Sequence, residues 1–200
     1  ENILMKYSCS KPDVIIVDFG LSKRIKKGGV IKENFVIQSR HYRAPEIYFK
    51  IPYDESTDMW SIGCIIYELF LDEVLFPSKY DKDLLIFIHQ IIGLPNPGFI
   101  KKNMRILKYY RNYTPKYIQD TNYIVREPLS NPKLKIENIK QKYKPHYIYT
   151  YKLIDAENND ELIDKQVVSI QSLITGCLKY ESSERLTPLE GIEFINSIIK

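Results

Sequence analysis

Apolar positions cluster first at the chain's opening, where Ile3 to Met5 and the continuous run Val14, Ile15, Ile16, Val17 flank the turn-rich stretch Ser8 to Pro12. That arrangement predicts a two-stranded hairpin whose second strand is buried. From Gly20 to Ser39 the periodicity is lost: the stretch is polar and basic and is broken by Gly28 and Gly29, which predicts a long loop of a length usually tied to function or disorder. Ser56 or Thr57 can cap a helix whose residues Met59 to Leu71 are apolar on nearly every face, the pattern of a helix buried all round. A second helix, Leu84 to Ile92, is closed by Gly93 at a left-handed cap position with Pro95 beyond it. Residues 98 to 160 are rich in Lys, Tyr and Asn and carry Pro115, Pro128, Pro132 and Pro145, so irregular structure with one or two short helices is expected. Val167, Ile170, Ile174 and Cys177 fall at helical spacing within Lys165 to Leu178. Thr187-Pro188-Leu189-Glu190 is a capping box with Pro at the first helical position, opening a last helix through Ile199. The sum is a mainly α fold with a short β-hairpin and a long loop near its start.

Composition narrows the classes. With 200 residues, 44% hydrophobic and 27% charged, the chain can bury a sizeable core, with room for two sub-domains, and disorder is excluded. Twenty-nine Lys and Arg against 25 Asp and Glu leave +4, and the basic residues are scattered, so direct nucleic-acid binding is not favoured. Cys9, Cys64 and Cys177 are odd in number and show no CxxC spacing, which argues against a disulfide framework or a zinc site and for buried thiols in a reducing compartment. No apolar run approaches the ~18 residues of a membrane span. The most apolar stretch, Ile62 to Leu71, is too short and contains Glu68. Glu1-Asn2-Ile3-Leu4 reads as the interior of a longer sequence, so a piece is expected upstream.

Three short motifs follow one another in a fixed order. Asp18-Phe19-Gly20 comes directly after a strand, Ser39-Arg40-His41-Tyr42-Arg43-Ala44-Pro45-Glu46 after the loop, and Asp58-Met59-Trp60-Ser61-Ile62-Gly63-Cys64 in the apolar helix. Alone, each is a turn or a helix start. Together, they resemble the activation segment and following helix of eukaryotic protein kinases, and Glu1-Asn2-Ile3-Leu4 resembles the end of their catalytic loop. Ile37-Gln38-Ser39-Arg40 before Tyr42-Arg43-Ala44-Pro45-Glu46, with Leu75-Phe76-Pro77 and Ile92-Gly93-Leu94-Pro95, is similar to the CMGC group, nearest the dual-specificity tyrosine-regulated, homeodomain-interacting and CDC-like kinases. The resemblance implies that residues 1–200 are the C-terminal lobe of a kinase domain that is α+β when complete. It also makes residues 98–160 a CMGC-type insert, and Gly20 to Ser39 part of an activation loop.

Phosphoryl transfer needs Mg²⁺ bridging the phosphates of ATP and an acceptor hydroxyl held in line. A carboxylate and an amide oxygen, hard donors, suit Mg²⁺. The resemblance makes Asn2 and Asp18 the two metal ligands and places Leu4 and Val17, with Asp18, against the nucleotide. Ser39 matches the hydroxyl residue that links the substrate-binding loop to the catalytic aspartate and lysine. Arg40, Tyr42 and Arg43 match the end of the activation segment, Glu46 and Arg185 the ion pair that anchors it, and Asp58 the buried helix aspartate that receives catalytic-loop N–H groups.

Three departures accompany these matches. The catalytic Asp and its Lys in H-R-D-x-K-P-E-N would fall just before Glu1, and the glycine-rich loop with the ATP-binding lysine is also absent from these 200 residues, so the chain alone is not expected to transfer phosphate. The activating tyrosine is replaced by Val36, and Ser22 and Ser39 are the only hydroxyl side chains between Leu21 and His41. Arg40 and Arg43 are thereby left to backbone carbonyls, a carboxylate such as Glu33, or a substrate group. The implied activity is that of an ATP-dependent serine/threonine kinase, with tyrosine specificity open, acting on protein substrates in the nucleus or cytoplasm. The alternative is a pseudokinase scaffold, and retention of Asn2 and Asp18 favours the enzyme.

Overall fold

Two antiparallel strands open the chain, β1 (Ile3–Tyr7) and β2 (Pro12–Ile16), in a register that sets Ile3 opposite Ile16 and Leu4 opposite Ile15. The computed structural model describes residues 1–7, 12–26, 28–33, 35–111 and 160–199. The hairpin forms where the pattern predicts it, but its burial does not follow: Val14 is 62% and Ile16 61% exposed. Among the described residues its only extensive packing is between its own strands, and two strands alone have no second layer on which to bury a face.

Among the described residues of 17–39 there is no helix or strand, and Ile31 alone makes a bridge, to Tyr53. A helical body follows. A 3₁₀ turn at Arg40–Tyr42 leads into the one-turn helix α1 (Pro45–Tyr48), and α2 (Ser56–Leu71) runs through the centre. Helices α3 (Asp81–Ile92), α4 (Pro97–Lys102) and α5 (Met104–Arg111) come next, then α6 (Asp160–Cys177) and α7 (Pro188–Ile199). Helices α4 and α5 fall in the stretch where short helices were expected, and the rest of that stretch, 112–159, lies outside the described residues.

Helix α2 packs on α6, and its Trp60 stacks at 5.8 Å on Phe76 of the following loop, both fully buried. The two helices cross closely at Gly63, where a Cβ would stand 2.8 Å from that of Cys177. Two expectations for α2 need correcting. It is not buried all round, since Leu69 is 77% and Ile62 41% exposed. These residues lie seven apart on one face that no described element covers, and apolarity records a preference for burial rather than a partner that provides it. Nor do Ser56 or Thr57 cap the helix; Asp54 does, with its carboxylate accepting from the Ser56 N–H at 3.0 Å and the Ser56 hydroxyl at 2.5 Å. A carboxylate two residues earlier reaches the free first-turn donors, and Ser56 becomes a helical residue.

Helix α3 starts at Asp81, three residues ahead of the apolar run, and Asp83 turns back to accept from the Tyr80 N–H at 3.3 Å. Gly93 closes it at φ 93°, ψ 179°, a positive-φ conformation outside the left-handed helical well and essentially reserved for glycine. The capping box at α7 forms: the Thr187 N–H donates to Glu190 Oε2 at 2.7 Å and the Glu190 N–H to Thr187 Oγ1 at 3.3 Å. Cys64 and Cys177 are free and buried, and burial raises both thiols, that of Cys177 to about 11. Cys9 lies outside the described residues.

Candidate active site

The last hydrogen bond of the hairpin, from the Val17 N–H to the Asn2 carbonyl at 2.9 Å, sets Asn2 opposite Val17 at the point where the second strand leaves the sheet. The next residue, Asp18, takes φ 61°, and its Oδ1 accepts from the Gly20 N–H at 3.2 Å. Together the turn and the ladder bring Asn2 and Asp18 to the rim of one cavity of about 880 Å³, which Ser39 and Asp58 also line. Leu4 and Val17 share the hairpin face of Asn2, because residues directly opposite in an antiparallel pair point the same way. They stand beside the cavity rather than in its lining.

Asn2 and Asp18 offer two hard oxygen donors. Among the described residues no cluster of three or more His, Cys, Asp or Glu could hold a metal. Two protein oxygens at the edge of an open cavity fit an ion such as Mg²⁺, which keeps the rest of its shell for phosphate oxygens and water. Asp58 differs from its expected setting: it is exposed to the cavity, and no described N–H group donates to its carboxylate. Packing on its helix side still pushes its carboxyl above the ordinary range.

Beyond Ser39 the segment is fastened to α2 and α3. Gln38 occupies the left-handed region at φ 64°. Its side-chain amide donates to the Thr57 carbonyl and Ser61 Oγ, both at 2.9 Å, and its Oε1 accepts from the Ala44 N–H at 2.9 Å. Ser61 in turn donates to the Tyr42 carbonyl at 2.8 Å, and the Tyr42 hydroxyl donates to Glu68 at 2.6 Å. Burial first, and that hydrogen bond second, raise the Tyr42 phenol far above its usual value.

The two arginines find partners of two of the three expected kinds, backbone carbonyls and a carboxylate, but the carboxylate is not Glu33, which pairs with Lys23. Arg40 donates through Nε to Asp81 at 2.7 Å and through a terminal nitrogen to the Lys79 carbonyl at 2.8 Å. Arg43 reaches the same Asp81 oxygen at 3.2 Å and donates to the Gln38 carbonyl through two nitrogens at 3.3 and 3.2 Å. Glu46 and Arg185, 139 positions apart, meet in the core as a bidentate pair at 2.5 and 2.7 Å. Arg185 also donates to the Lys179 and Ser56 carbonyls and lies over the Trp60 ring at 5.3 Å.

Asn2, Asp18, Ser39 and Asp58 are thus gathered at one cavity, Arg40, Tyr42 and Arg43 are anchored behind Ser39, and Glu46 and Arg185 hold the base of the segment. Gln38 enters the sequence reading only as a letter of the motif Ile37-Gln38-Ser39-Arg40, without a role, and Asp81 does not enter it. Asp81 is an acid at a helix start, but the apolar run begins three residues later at Leu84, and nothing in the apolar pattern gives Gln38 its role.

Residues 1–194 match the protein kinase domain. The chain belongs to the protein kinase family. This kinase sequence is 32% identical over 205 residues to the dual specificity protein kinase YAK1 of Saccharomyces cerevisiae, covering 96% of the chain and 25% of the relative. It is 29% identical over 209 residues to homeodomain-interacting protein kinase 1 of Caenorhabditis elegans, covering 96% and 24%. With human dual specificity tyrosine-phosphorylation-regulated kinase 4 the identity is 29% over 194 residues, covering 96% and 31%. These relatives are CMGC kinases, the group to which the motifs pointed. The kinase chain spans about a third or less of their length. Among the described residues its mostly helical body with a small two-stranded sheet is consistent with part of the kinase fold.

Proposed function

We propose that the chain is the C-terminal lobe of an ATP-dependent protein kinase that phosphorylates serine or threonine hydroxyls, with Gly20 to Ser39 in its activation loop and residues 98–160 as a group-specific insert. The observation that carries this reading is the convergence of Asn2, Asp18 and Ser39 on one cavity, from three segments that the motifs alone had connected. Asp18 and Asn2 would hold Mg²⁺, which when bound offsets the charge of the transferring phosphoryl group. Asp18 is aimed by its own left-handed turn and its bond to the Gly20 N–H, and Asn2 by the hairpin ladder, so neither depends on the long loop for its position. Ser39 lines the same cavity, on a segment whose backbone is fixed by Gln38 and Ser61. Leu4 and Val17 supply apolar surface next to the metal ligands, suited to a nucleotide base. The two free buried thiols support an intracellular setting, nuclear or cytoplasmic.

The test is Mg²⁺-dependent phosphate transfer by the complete polypeptide. Asp18→Asn is expected to abolish transfer with the thermal melt unchanged, because an amide in place of the carboxylate removes one negative ligand charge. Wild-type rates from folded Asp18→Asn protein would establish the scaffold reading instead.

A further inference from the structure

On the kinase reading, the substrate-facing segment ends at Ser39, and what fixes the residue before it decides how that serine is presented. Gln38 sits at φ 64°, a left-handed conformation that is costly for a non-glycine residue and persists only where its surroundings over-determine it. Its carbonyl is turned onto Arg43 and accepts two hydrogen bonds from that guanidinium. Arg43 is nearly buried and cannot drift to solvent, and its remaining nitrogen lies 3.2 Å from Asp81, on which Arg40 also closes at 2.7 Å. Asp81 is the first residue of α3, 41 positions beyond Arg40 and outside the cavity lining.

We propose that Asp81 is a positioning residue for the substrate-binding segment: one carboxylate gathers the two guanidinia, and through Arg43 it holds the Gln38 carbonyl and hence the orientation of Ser39. Two observations set this apart from an ordinary surface ion pair, which contributes little. The carboxylate is shared by two cations, and one of them is fixed at its other end to a strained peptide, so the pair's geometry is transmitted to the backbone. Arg40 as a hydrogen-bond donor, and both arginines as charges, hold the Asp81 carboxyl below its usual range, which keeps it ionised at neutral pH. An acid in the first turn of α3 also complements the helix dipole, and the experiment must separate the two roles.

The complete polypeptide is compared with Asp81→Ala and Asp81→Glu, using a serine peptide selected from an oriented library as substrate. Asp81→Ala is expected to raise the peptide KM about tenfold, the equivalent of one lost charge-assisted contact, while the ATP KM stays within about twofold; Asp81→Glu restores most of the difference. Hydrogen exchange provides a second readout that does not depend on activity. Amides of residues 37–44 should exchange faster in Asp81→Ala while those of α3 keep their protection. Unchanged exchange in 37–44, or a loss of protection confined to α3 with both KM values moving together, would overturn the proposal and leave Asp81 as a helix-start residue. Failure of the wild-type protein to transfer phosphate would instead refute the kinase reading, and the exchange comparison would still decide whether the clamp exists.

Discussion

Glu46 and Arg185 illustrate how much one pair can carry when both members are dry. The carboxylate is 4% and the guanidinium residue 5% exposed, with two further carbonyls on the arginine, so removing either partner strands a charge. Glu46→Ala and Arg185→Ala are each expected to cost about 3–5 kcal/mol, and the double variant less than their sum, measured by denaturant unfolding in a double-mutant cycle. Strict additivity would mean that the pair contributes nothing jointly. His89 offers a titration test. Burial beside Tyr110 depresses its pKa from 6.5 to about 4, so the folded chain binds fewer protons than the unfolded one between those values. Its contribution, on the order of 3 kcal/mol, is present in full above pH 6.5 and erodes as the pH falls toward 4. His89→Gln should flatten that acid limb in pH-dependent melting. At this scale the motif residues were legible in sequence because their types and order are distinctive. The roles of Gln38 and Asp81 were not, because they lie in a backbone angle and in a contact across 41 residues, which neither a motif letter nor an acid at a helix start reveals.

Elements were legible where pattern and punctuation agree. The hairpin pairs the two apolar runs that predict it, and α7 begins where its capping box says it should. Starts set by a side chain outside the periodic run were misplaced, as Asp54 shows for α2 and Asp81 for α3. Burial was overstated for β2 and for α2, since a periodic pattern cannot say whether a partner is there to cover it. The crossing of α2 and α6 yields a sharp expectation. Gly63→Ala places a methyl against the Cys177 Cβ, an atom tied to backbone that cannot swing aside. Alanine at a helical position would ordinarily stabilise, but here overpacking should cost about 1–3 kcal/mol, read as a lowered denaturation midpoint.

Across the whole molecule, the family match extends over residues 1–194, while the curated relatives continue well beyond it. Val36 stands where the resemblance expects an activating tyrosine, and both arginines already have partners. Phosphatase treatment of the active complete protein, with mass spectrometry showing residues 18–46 unmodified, is therefore expected to leave activity intact. Loss that tracks dephosphorylation of Ser22 or Ser39 would show a serine-operated switch. A phosphoryl group is added and removed during a protein's lifetime, whereas the carboxylate of Asp81 is encoded and arrives with translation. On the proposed clamp, a loop held by that carboxylate is seated as the chain folds, with no separate arming event.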